Sequence, residues 1–285
     1  MNHNSISEIR DLLDRHEIGL KKRFGQNFLI DSATRHRIGS LIAQVLPRPL
    51  PGSGEIWEIG PGLGALTDEL RALELPLRLF EIDRGVIRVL RERYGEDLPI
   101  EGGDFLDTFR GLPAPGAIVG NLPYHSAGAM VPRIVESGLA VPVMVFLLQS
   151  EMVDRLVSPR GCKTYSALSV LVQSHYQVER AFLVPAGVFY PRPQVGSAVA
   201  VLRELPHRPS REVTEQISLL TREAFGQRRK TLRNTWKAWL PALEECGIDP
   251  GLRPEELQPE TFRLLAEHLR GVPGAGQPRA VRDGR

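Results

Sequence analysis

The stretch EIWEIGPGLGALT, residues 55–67, decides the fold class of this chain. It opens with a short apolar run, continues with three glycines within five residues, and ends in apolar residues at helical spacing. This order predicts a buried strand, a tight glycine turn and a helix N-terminus. Such a turn lets the backbone approach a ligand closely and directs free N–H groups at it, which favours a nucleotide-like cofactor. Glycines at this place could also serve sharp packing alone.

The following residues alternate between strand and helix patterns, as a doubly wound sheet requires. The last two predicted strands alternate like a pair and are expected to form an antiparallel hairpin at the sheet edge, while the segment 185–196 between them is too rich in proline for regular structure. We therefore expect an α/β, Rossmann-like sheet of seven strands, mostly parallel. Beyond the strand at 55–59, strands are predicted at 77–82, 99–104, 117–120, 142–149, 176–184 and 197–202.

Composition narrows the class of protein. The 285 residues include 42% hydrophobic ones, enough for a normal core, and a net charge of +2 restricts any nucleic-acid contact to a local patch. Cys162 and Cys246 lie far apart without a CxxC or Cys/His cluster, so we expect neither a disulfide framework nor structural zinc, and a reducing cytoplasm fits. We also expect no secretory signal and no membrane span.

Polar residues are predicted at the carboxyl ends of the strands, where open α/β sheets bind ligands. Besides the glycine turn they are Glu81, Asp104 and Asn121. An acidic residue at the end of the second strand is where a ribose hydroxyl pair is held in this architecture. The alternative role, a carboxylate that caps the next helix, suits Asp83 better than Glu81.

Two cofactors compete for this constellation, and the tetrapeptide Asn121-Leu122-Pro123-Tyr124 decides between them. The loose G-x-G-x-x-G/A pattern alone would also fit a dinucleotide dehydrogenase. An exocyclic adenine amine, however, is a poor nucleophile, because its lone pair is conjugated with the ring. An Asn side-chain oxygen and a backbone carbonyl presented by the proline can accept the amine protons while Tyr124 stacks on the base. Methyl transfer to such an amine needs no metal.

Two basic segments are candidates for a nucleic-acid surface. One is the triplet 21–23 near the N-terminus, and the other lies within AFGQRRKTLRNTWK, residues 224–237. A run of charges is most often a solvated face, but the density of this one and the interleaved Trp236 favour RNA or DNA contact.

These motifs, in this order, resemble the ribosomal RNA adenine N6,N6-dimethyltransferase family. The resemblance extends from about Lys21 to Leu269 and includes KKRFGQNFL, EIGPGLGALT, EID, GDFL, GNLPY, QSEMVDRL, VFYPRPQVGSAV and AFGQRRKTLRN. It implies a class I methyltransferase fold, S-adenosylmethionine as the methyl donor, and no metal. As substrate it implies two adjacent adenosines in the 3′-terminal hairpin loop of small-subunit (16S) ribosomal RNA, dimethylated by a cytoplasmic monomer during subunit assembly.

Helical periodicity without further strand signal predicts a small all-helical domain over 206–270, and the lack of apolar residues predicts a flexible tail over 271–285. The resemblance implies that 31–205 form the methyltransferase domain after an N-terminal basic arm or helix over 1–30, and that the helical domain contacts RNA. It also assigns site residues. The catalytic residues would be Asn121, Tyr124 and Phe189, the last as a second stacking surface. The donor would be held by Asn27, Leu29, Gly60, Gly62, Glu81, Ile82, Asp104, Phe105 and Asn121, and RNA by Lys21, Lys22, Arg23, Arg228, Arg229, Lys230 and Arg233.

The chain departs from the family pattern at His125-Ser126 after the tetrapeptide, in VPAGVF, which lacks a second proline, and at Gly196, where Asp is common. These differences concern the loops that face the substrate. Two other functions stay open at this point: a resistance-type methyltransferase that modifies large-subunit RNA, and an assembly factor that binds RNA without turnover. Intact Asn121, Tyr124 and Glu81 argue against lost catalysis.

Overall fold

Residues 3–19 and 27–270 are described by a computed structural model of the chain. The first half contains α1 (Ile6–Arg15), β1 (Phe28–Leu29), α2 (Ser32–Val45), β2 (Ile56–Ile59), α3 (Ala65–Arg71), β3 (Leu77–Glu81), α4 (Arg84–Tyr94), β4 (Ile100–Gly102), α5 (Phe105–Thr108), β5 (Ala117–Asn121) and α6 (Tyr124–Glu136). The second half contains β6 (Val143–Gln149), α7 (Ser150–Leu156), α8 (Ala167–Gln173), β7 (Tyr176–Val184), β8 (Phe189–Tyr190), β9 (Ser197–Glu204), α9 (Arg211–Gly226), α10 (Leu232–Thr235), α11 (Leu240–Glu245) and α12 (Pro259–Arg270).

Seven strands form one sheet in the order β4-β3-β2-β5-β6-β9-β7. The pairs β2 with β3, β2 with β5, β3 with β4 and β5 with β6 are parallel, and β9 runs antiparallel to β6. The predicted Rossmann-like, mostly parallel sheet is therefore confirmed. The strand order changes direction between β2 and β5, and the crevice beyond the carboxyl ends at such a switch is where these sheets bind ligands.

Burial on both faces explains why β2 reads as an apolar run. All four of its residues are buried, and the Trp57 ring packs against Phe80 and Phe105 at centroid distances of 5.0 and 6.4 Å. The helix that follows β3 begins as expected, because the Asp83 side chain accepts hydrogen bonds from the N–H groups of Gly85 and Val86. These contacts hold β2 and β3 in place next to the glycine turn.

A second, two-stranded sheet contradicts the prediction that segment 185–196 lacks regular structure. β8 pairs antiparallel with β1, so that Phe28 lies opposite Tyr190 and Leu29 opposite Phe189. A 3-10 turn at Ala186–Val188 precedes β8, and the Ile30 N–H donates to the Val188 carbonyl at 2.8 Å. The prolines flank the two-residue strand and so remove no ladder hydrogen bond. This pairing anchors β1.

The chain divides into two compact units. The first comprises residues 1–134, 139–154 and 177–204, and the second comprises 135–138, 155–176 and 205–285. The second unit thus also includes segments 135–138 and 155–176, which precede the boundary expected at residue 206. In residues 3–19 and 27–270, the structure contains no helix long and apolar enough to cross a membrane.

Aromatic side chains form the core of the second unit. Trp236 is 1% exposed, its indole N–H donates to the Leu220 carbonyl at 3.1 Å, and its ring meets that of Phe262 edge-on at 5.5 Å. The prediction that Trp236 is an aromatic interleaved with basic residues on a nucleic-acid surface is wrong. The ring belongs to the core, where large apolar side chains are most stable.

Candidate active site

A cavity of about 300 Å³ lies at the carboxyl ends of β2, β3, β4 and β5. All nine residues predicted to hold a cofactor border it, and so does Tyr124. The wall consists of His3, Asn27, Phe28, Leu29, Glu58, Ile59, Gly60, Pro61, Gly62, Leu63, Ala65, Leu66, Phe80, Glu81, Ile82, Gly103, Asp104, Phe105, Asn121, Leu122, Pro123, Tyr124, Ser126 and Met130. The fold therefore brings together residues from six separate stretches of sequence.

The glycine turn brings bare backbone to this cavity. Gly60 has φ +65°, and a Cβ placed there would meet no heavy atom closer than the Asn121 carbonyl oxygen at 3.9 Å, so the space beside it is free for a ligand. Gly64 has φ +88°, and a Cβ there would lie 2.2 Å from the Tyr94 hydroxyl oxygen. Gly60 thus leaves room for a ligand, whereas Gly64 permits close packing.

This contrast gives a matched pair of substitutions. Gly64→Ala should destabilise the protein by about 2 kcal/mol more than Gly54→Ala, because both residues have positive φ but a Cβ at Gly54 would meet nothing within 4 Å. The additional destabilisation of Gly64→Ala measures the cost of displacing the Tyr94 side chain. Urea unfolding of both variants measures it, and equal losses would show that backbone strain alone accounts for the effect.

Glu81 ends β3 as a buried carboxyl group, 6% exposed. It accepts hydrogen bonds from the N–H groups of Asp83 at 2.8 Å and Gly62 at 3.4 Å. Burial raises the pKa of Glu81 to about 7 in spite of these bonds. Ile82, next to it, is 47% exposed although apolar. A carboxylate beside an exposed apolar side chain suits a ligand that pairs hydroxyl groups with a flat ring.

Asp104 follows β4 and is also committed to local structure. Its side chain accepts a hydrogen bond from the Leu106 N–H at 2.9 Å, which caps α5. Phe105, one residue on, is buried and packs against Phe80 at a centroid distance of 4.9 Å. Asp104 itself is exposed and borders the cavity, and its second carboxylate oxygen can accept a further hydrogen bond.

Asn121, the last residue of β5, has its amide oriented by backbone. Its Nδ2 donates to the Asn27 carbonyl at 3.0 Å, which leaves the acceptor atom Oδ1 without a partner among the described residues. The Pro123 carbonyl accepts from the N–H groups of Ser126 and Ala127 at 3.1 and 2.9 Å and so belongs to α6. The backbone carbonyl left for an incoming amine is that of Leu122, directly before the proline.

Tyr124 begins α6, and its ring is held from the side of β9. Its hydroxyl group lies 2.6 Å from the Ser197 Oγ. Burial raises the pKa of Tyr124 further, so the phenol stays neutral at physiological pH. A neutral, fixed aromatic ring beside an oriented amide is the arrangement that a stacked base requires.

Phe189 is not brought to this cavity. Its side chain is 3% exposed and belongs to the hydrophobic core beneath β1. The aromatic rings that border the cavity are those of Phe28, Phe80, Phe105 and Tyr124. A stacking role for Phe189 stays a prediction.

The basic run of the second unit divides into two kinds of residue. Arg228 donates to the carbonyls of Lys163 at 2.5 Å and Cys162 at 3.0 Å and pairs with Glu255, so it fastens two loops together. In contrast, three other predicted RNA-binding residues are exposed, and their side chains make no hydrogen bond or ion pair with any described residue: Arg229, Lys230 and Arg233. Lys21, Lys22 and Arg23 lie outside the described residues.

His3 is a wall residue that sequence reasoning missed. It is 6% exposed, and its Nε2 lies 3.0 Å from Asp68 Oδ2. Burial alone would raise the pKa of Asp68, but the contact with His3, the hydrogen bond from Tyr94 and the charge of Arg93 outweigh it and lower that pKa to about 2. No sequence signal pointed to His3, because its partners lie 65 and 90 positions away.

Comparison with known proteins agrees with this geometry. The family model described as ribosomal RNA adenine dimethylase matches residues 18–267, nearly the whole described chain. The chain belongs to the ribosomal RNA adenine dimethylase family. A relative named ribosomal RNA small subunit methyltransferase A, from Aromatoleum aromaticum, is 41% identical over 271 residues, which cover 92% of this chain and 97% of the relative.

Solved structures carry the same fold. The 23S rRNA methyltransferase ErmE is 25% identical to this chain, with a TM-score of 0.63, over 86% of this chain and 100% of that structure. A dimethyladenosine transferase from Plasmodium falciparum is 20% identical, with a TM-score of 0.66, over 84% of this chain and 96% of that structure. The expected family and fold class are thereby confirmed.

Proposed function

We propose that this chain transfers methyl groups from S-adenosylmethionine to the N6 amines of two adjacent adenosines in the 3′-terminal hairpin loop of 16S ribosomal RNA. The observation that carries the reaction is the orientation of Asn121, a residue of the cavity wall whose Nδ2 donates to the Asn27 carbonyl while Oδ1 has no hydrogen-bond partner among the described residues. The name of the Aromatoleum aromaticum relative, ribosomal RNA small subunit methyltransferase A, supports the small-subunit substrate.

The residues of the cavity fit this donor. Open space beside Gly60 admits a ligand against the backbone, Glu81 is a buried carboxyl group for the ribose hydroxyls, and Ile82 offers an exposed apolar surface for the adenine. Asp104 would accept a hydrogen bond from the adenine amine. Bound there, S-adenosylmethionine would supply an electrophilic methyl group on a sulfonium sulfur.

The chain's own residues would orient the target amine. Asn121 Oδ1 and the Leu122 carbonyl accept its two protons, which favours tetrahedral geometry at nitrogen and directs the lone pair away from the ring. Tyr124 stacks on the base and keeps it in place. The nitrogen becomes positively charged on methylation, so its proton leaves readily and no strong base is needed.

Donor affinity should depend on pH through Glu81. The pKa of this carboxyl is about 7, and only the ionised form accepts from both ribose hydroxyls, so affinity should fall as pH drops below 7, approaching tenfold per unit. Calorimetric titration with S-adenosylhomocysteine between pH 5.5 and 8.5 measures the slope. Glu81→Gln should bind weakly and without this slope; persistence of the slope in the variant would assign the titration to another group, with Glu58 the first candidate.

RNA contact is proposed for the exposed part of the basic run. Replacing Arg229, Lys230 and Arg233 together by alanine should weaken binding of a 16S hairpin and reduce the slope of log K against log salt by about 2 to 3, since each phosphate contact contributes about 0.7 to 0.9. Arg228→Ala is the contrasting variant, because its guanidinium is occupied by Cys162, Lys163 and Glu255. Arg228→Ala should lower the melting temperature and have little effect on the salt slope. An unchanged slope in the triple variant would contradict the RNA role.

The partner would be an assembling small subunit in the cytoplasm, with the enzyme acting as a monomer. The test of the whole proposal is transfer of labelled methyl from S-adenosylmethionine to small subunits from cells that lack this gene, with the nucleoside identified by mass. N6,N6-dimethyladenosine in the 3′-terminal hairpin is the expected product. Label in large-subunit RNA would show that the substrate is large-subunit RNA instead. This outcome is tested because the chain is 25% identical to a 23S rRNA methyltransferase. Donor binding without transfer would indicate an assembly factor.

A further inference from the structure

The wall of the cavity is unbalanced in charge. Three acidic side chains border it, Glu58, Glu81 and Asp104, and among the described residues His3 is the one basic side chain of the wall, which includes no lysine or arginine. The proposed donor carries an ammonium group and a carboxylate at its amino-acid end. Acidic residues can serve the ammonium group, but a carboxylate taken out of water requires a hydrogen-bond donor or a cation.

The His3 ring is fixed in place by its Nε2 atom. That atom lies 3.0 Å from Asp68 Oδ2 and 2.7 Å from Arg93 Nη1. Arg93 also donates to the Leu63 carbonyl at 2.8 Å, so the ring is connected to the glycine turn itself. The neighbouring Tyr94 hydroxyl adds a hydrogen bond to Asp68 Oδ1 at 2.6 Å. His3 is therefore part of a network that spans the turn, α3 and α4.

The other ring nitrogen, Nδ1, has no partner among the described residues, although the side chain borders the cavity. If neutral His3 accepts the Arg93 hydrogen bond at Nε2, its proton resides on Nδ1. Arg93 can only donate, so its 2.7 Å contact with Nε2 favours this tautomer, in which Nδ1 is a hydrogen-bond donor.

Packing of α1 keeps this segment in position. Ile9 and Leu13 are buried in the core, and the Arg10 Nε donates to the Tyr190 hydroxyl at 2.8 Å. After the helix, the His16 carbonyl accepts a hydrogen bond from Arg88 at 3.0 Å. The segment that carries His3 is thus tied to β8 and α4 of the same unit, so the histidine is held as a wall residue.

We propose that His3 recognises the carboxylate at the amino-acid end of the methyl donor through Nδ1. This inference rests on S-adenosylmethionine being the donor, as proposed above. Glu81 and Asp104 would hold the nucleoside, and Asn121 faces the methyl group. The amino-acid end then falls to the wall formed by the glycine turn and His3, which is the one basic side chain of the wall among the described residues.

Ligands that differ only in this carboxylate test the proposal. Binding of S-adenosylmethionine and of its decarboxylated form is measured by calorimetry for the unmodified chain, for His3→Ala and His3→Gln, and for His36→Ala. His36 is the matched control because its side chain is 72% exposed on α2. His3→Ala should weaken S-adenosylmethionine binding about tenfold and change binding of the decarboxylated form less than twofold. His3→Gln, which keeps an N–H donor, should recover part of the loss, and His36→Ala should match the unmodified chain.

Two results would overturn the proposal in different ways. If His3→Ala weakened both ligands equally, or neither, His3 would only shape the wall, and the donor assignment would stand. If the unmodified chain bound neither ligand, the proposed donor itself would be wrong and this inference would fall with it. Melting temperatures of the variants without ligand separate lost recognition from lost folding.

Discussion

Asn121→Ala should lower the rate of methyl transfer by about 10²- to 10³-fold at saturating donor and RNA, that is, by about 3 to 4 kcal/mol in the transition state. The reason is geometric. The Asn27 carbonyl accepts a hydrogen bond from Nδ2 and so fixes the side-chain amide. Oδ1 is therefore oriented before the amine binds, and no reorganisation is required during the reaction. Single-turnover transfer of labelled methyl to small-subunit RNA measures the effect, because it excludes product release.

Asn121→Asp separates orientation from the mere presence of an acceptor. The aspartate keeps two acceptor oxygens but loses the N–H that binds the Asn27 carbonyl, and it places a negative charge next to that carbonyl oxygen. Methyl transfer by Asn121→Asp should therefore also be slower than in the unmodified chain. Donor affinity is measured in parallel, because Asn121 also borders the donor cavity. Near-normal transfer by Asn121→Ala would refute the amine-orienting role, and a fully active Asn121→Asp would refute the role of the Asn27 contact.

The fold was predictable because the sheet strands are long enough to leave a local pattern. Val143–Gln149, for example, lies between two neighbouring strands with six of its seven residues buried, and it reads as a continuous apolar run. The pairing of Phe28–Leu29 with Phe189–Tyr190 was not predictable. A two-residue strand has no periodicity, its partner is about 160 positions away, and the adjacent prolines normally signal irregular structure.

The site was predictable to the extent that motif residues fall at strand ends. Glu81 and Asn121 follow from that rule, since parallel strands end at one edge. The sequence does not show which basic residue of a run points inward. Arg228 was therefore predicted to bind RNA like its exposed neighbours, although it donates to two loop carbonyls. Likewise Trp236 was expected among basic residues at a nucleic-acid surface and Phe189 as a stacking surface, although tertiary packing buries both. Contacts between distant segments decide such cases.

Glu58→Gln should stabilise the protein at neutral pH and reduce the pH dependence of its stability. Glu58 is 1% exposed in β2, where burial raises its pKa from 4.5 to about 8 even though the Thr67 hydroxyl donates to it at 2.7 Å. The folded form therefore holds a proton that the unfolded chain releases above pH 4.5. The stabilising contribution of that proton is complete below pH 4.5 and is lost as pH rises through 8. At pH 7 the variant should gain about 3 kcal/mol, following about 1.4 kcal/mol per unit.

Glu55→Gln provides a control of opposite sign three positions away. The hydrogen bonds from Arg78 lower the pKa of Glu55, so its ionised form stabilises the fold at neutral pH and that contribution is lost in acid. Urea unfolding without donor, at several values between pH 5 and 8.5, should show higher stability at pH 7 for Glu58→Gln and lower stability for Glu55→Gln. Because the pKa of Glu81 is also raised, to about 7, the Glu58→Gln variant should still lose some stability as pH rises. If Glu58→Gln left the slope between pH 5 and 8 unchanged, Glu58 would be ionised in the folded protein, and the buried-proton explanation would be wrong.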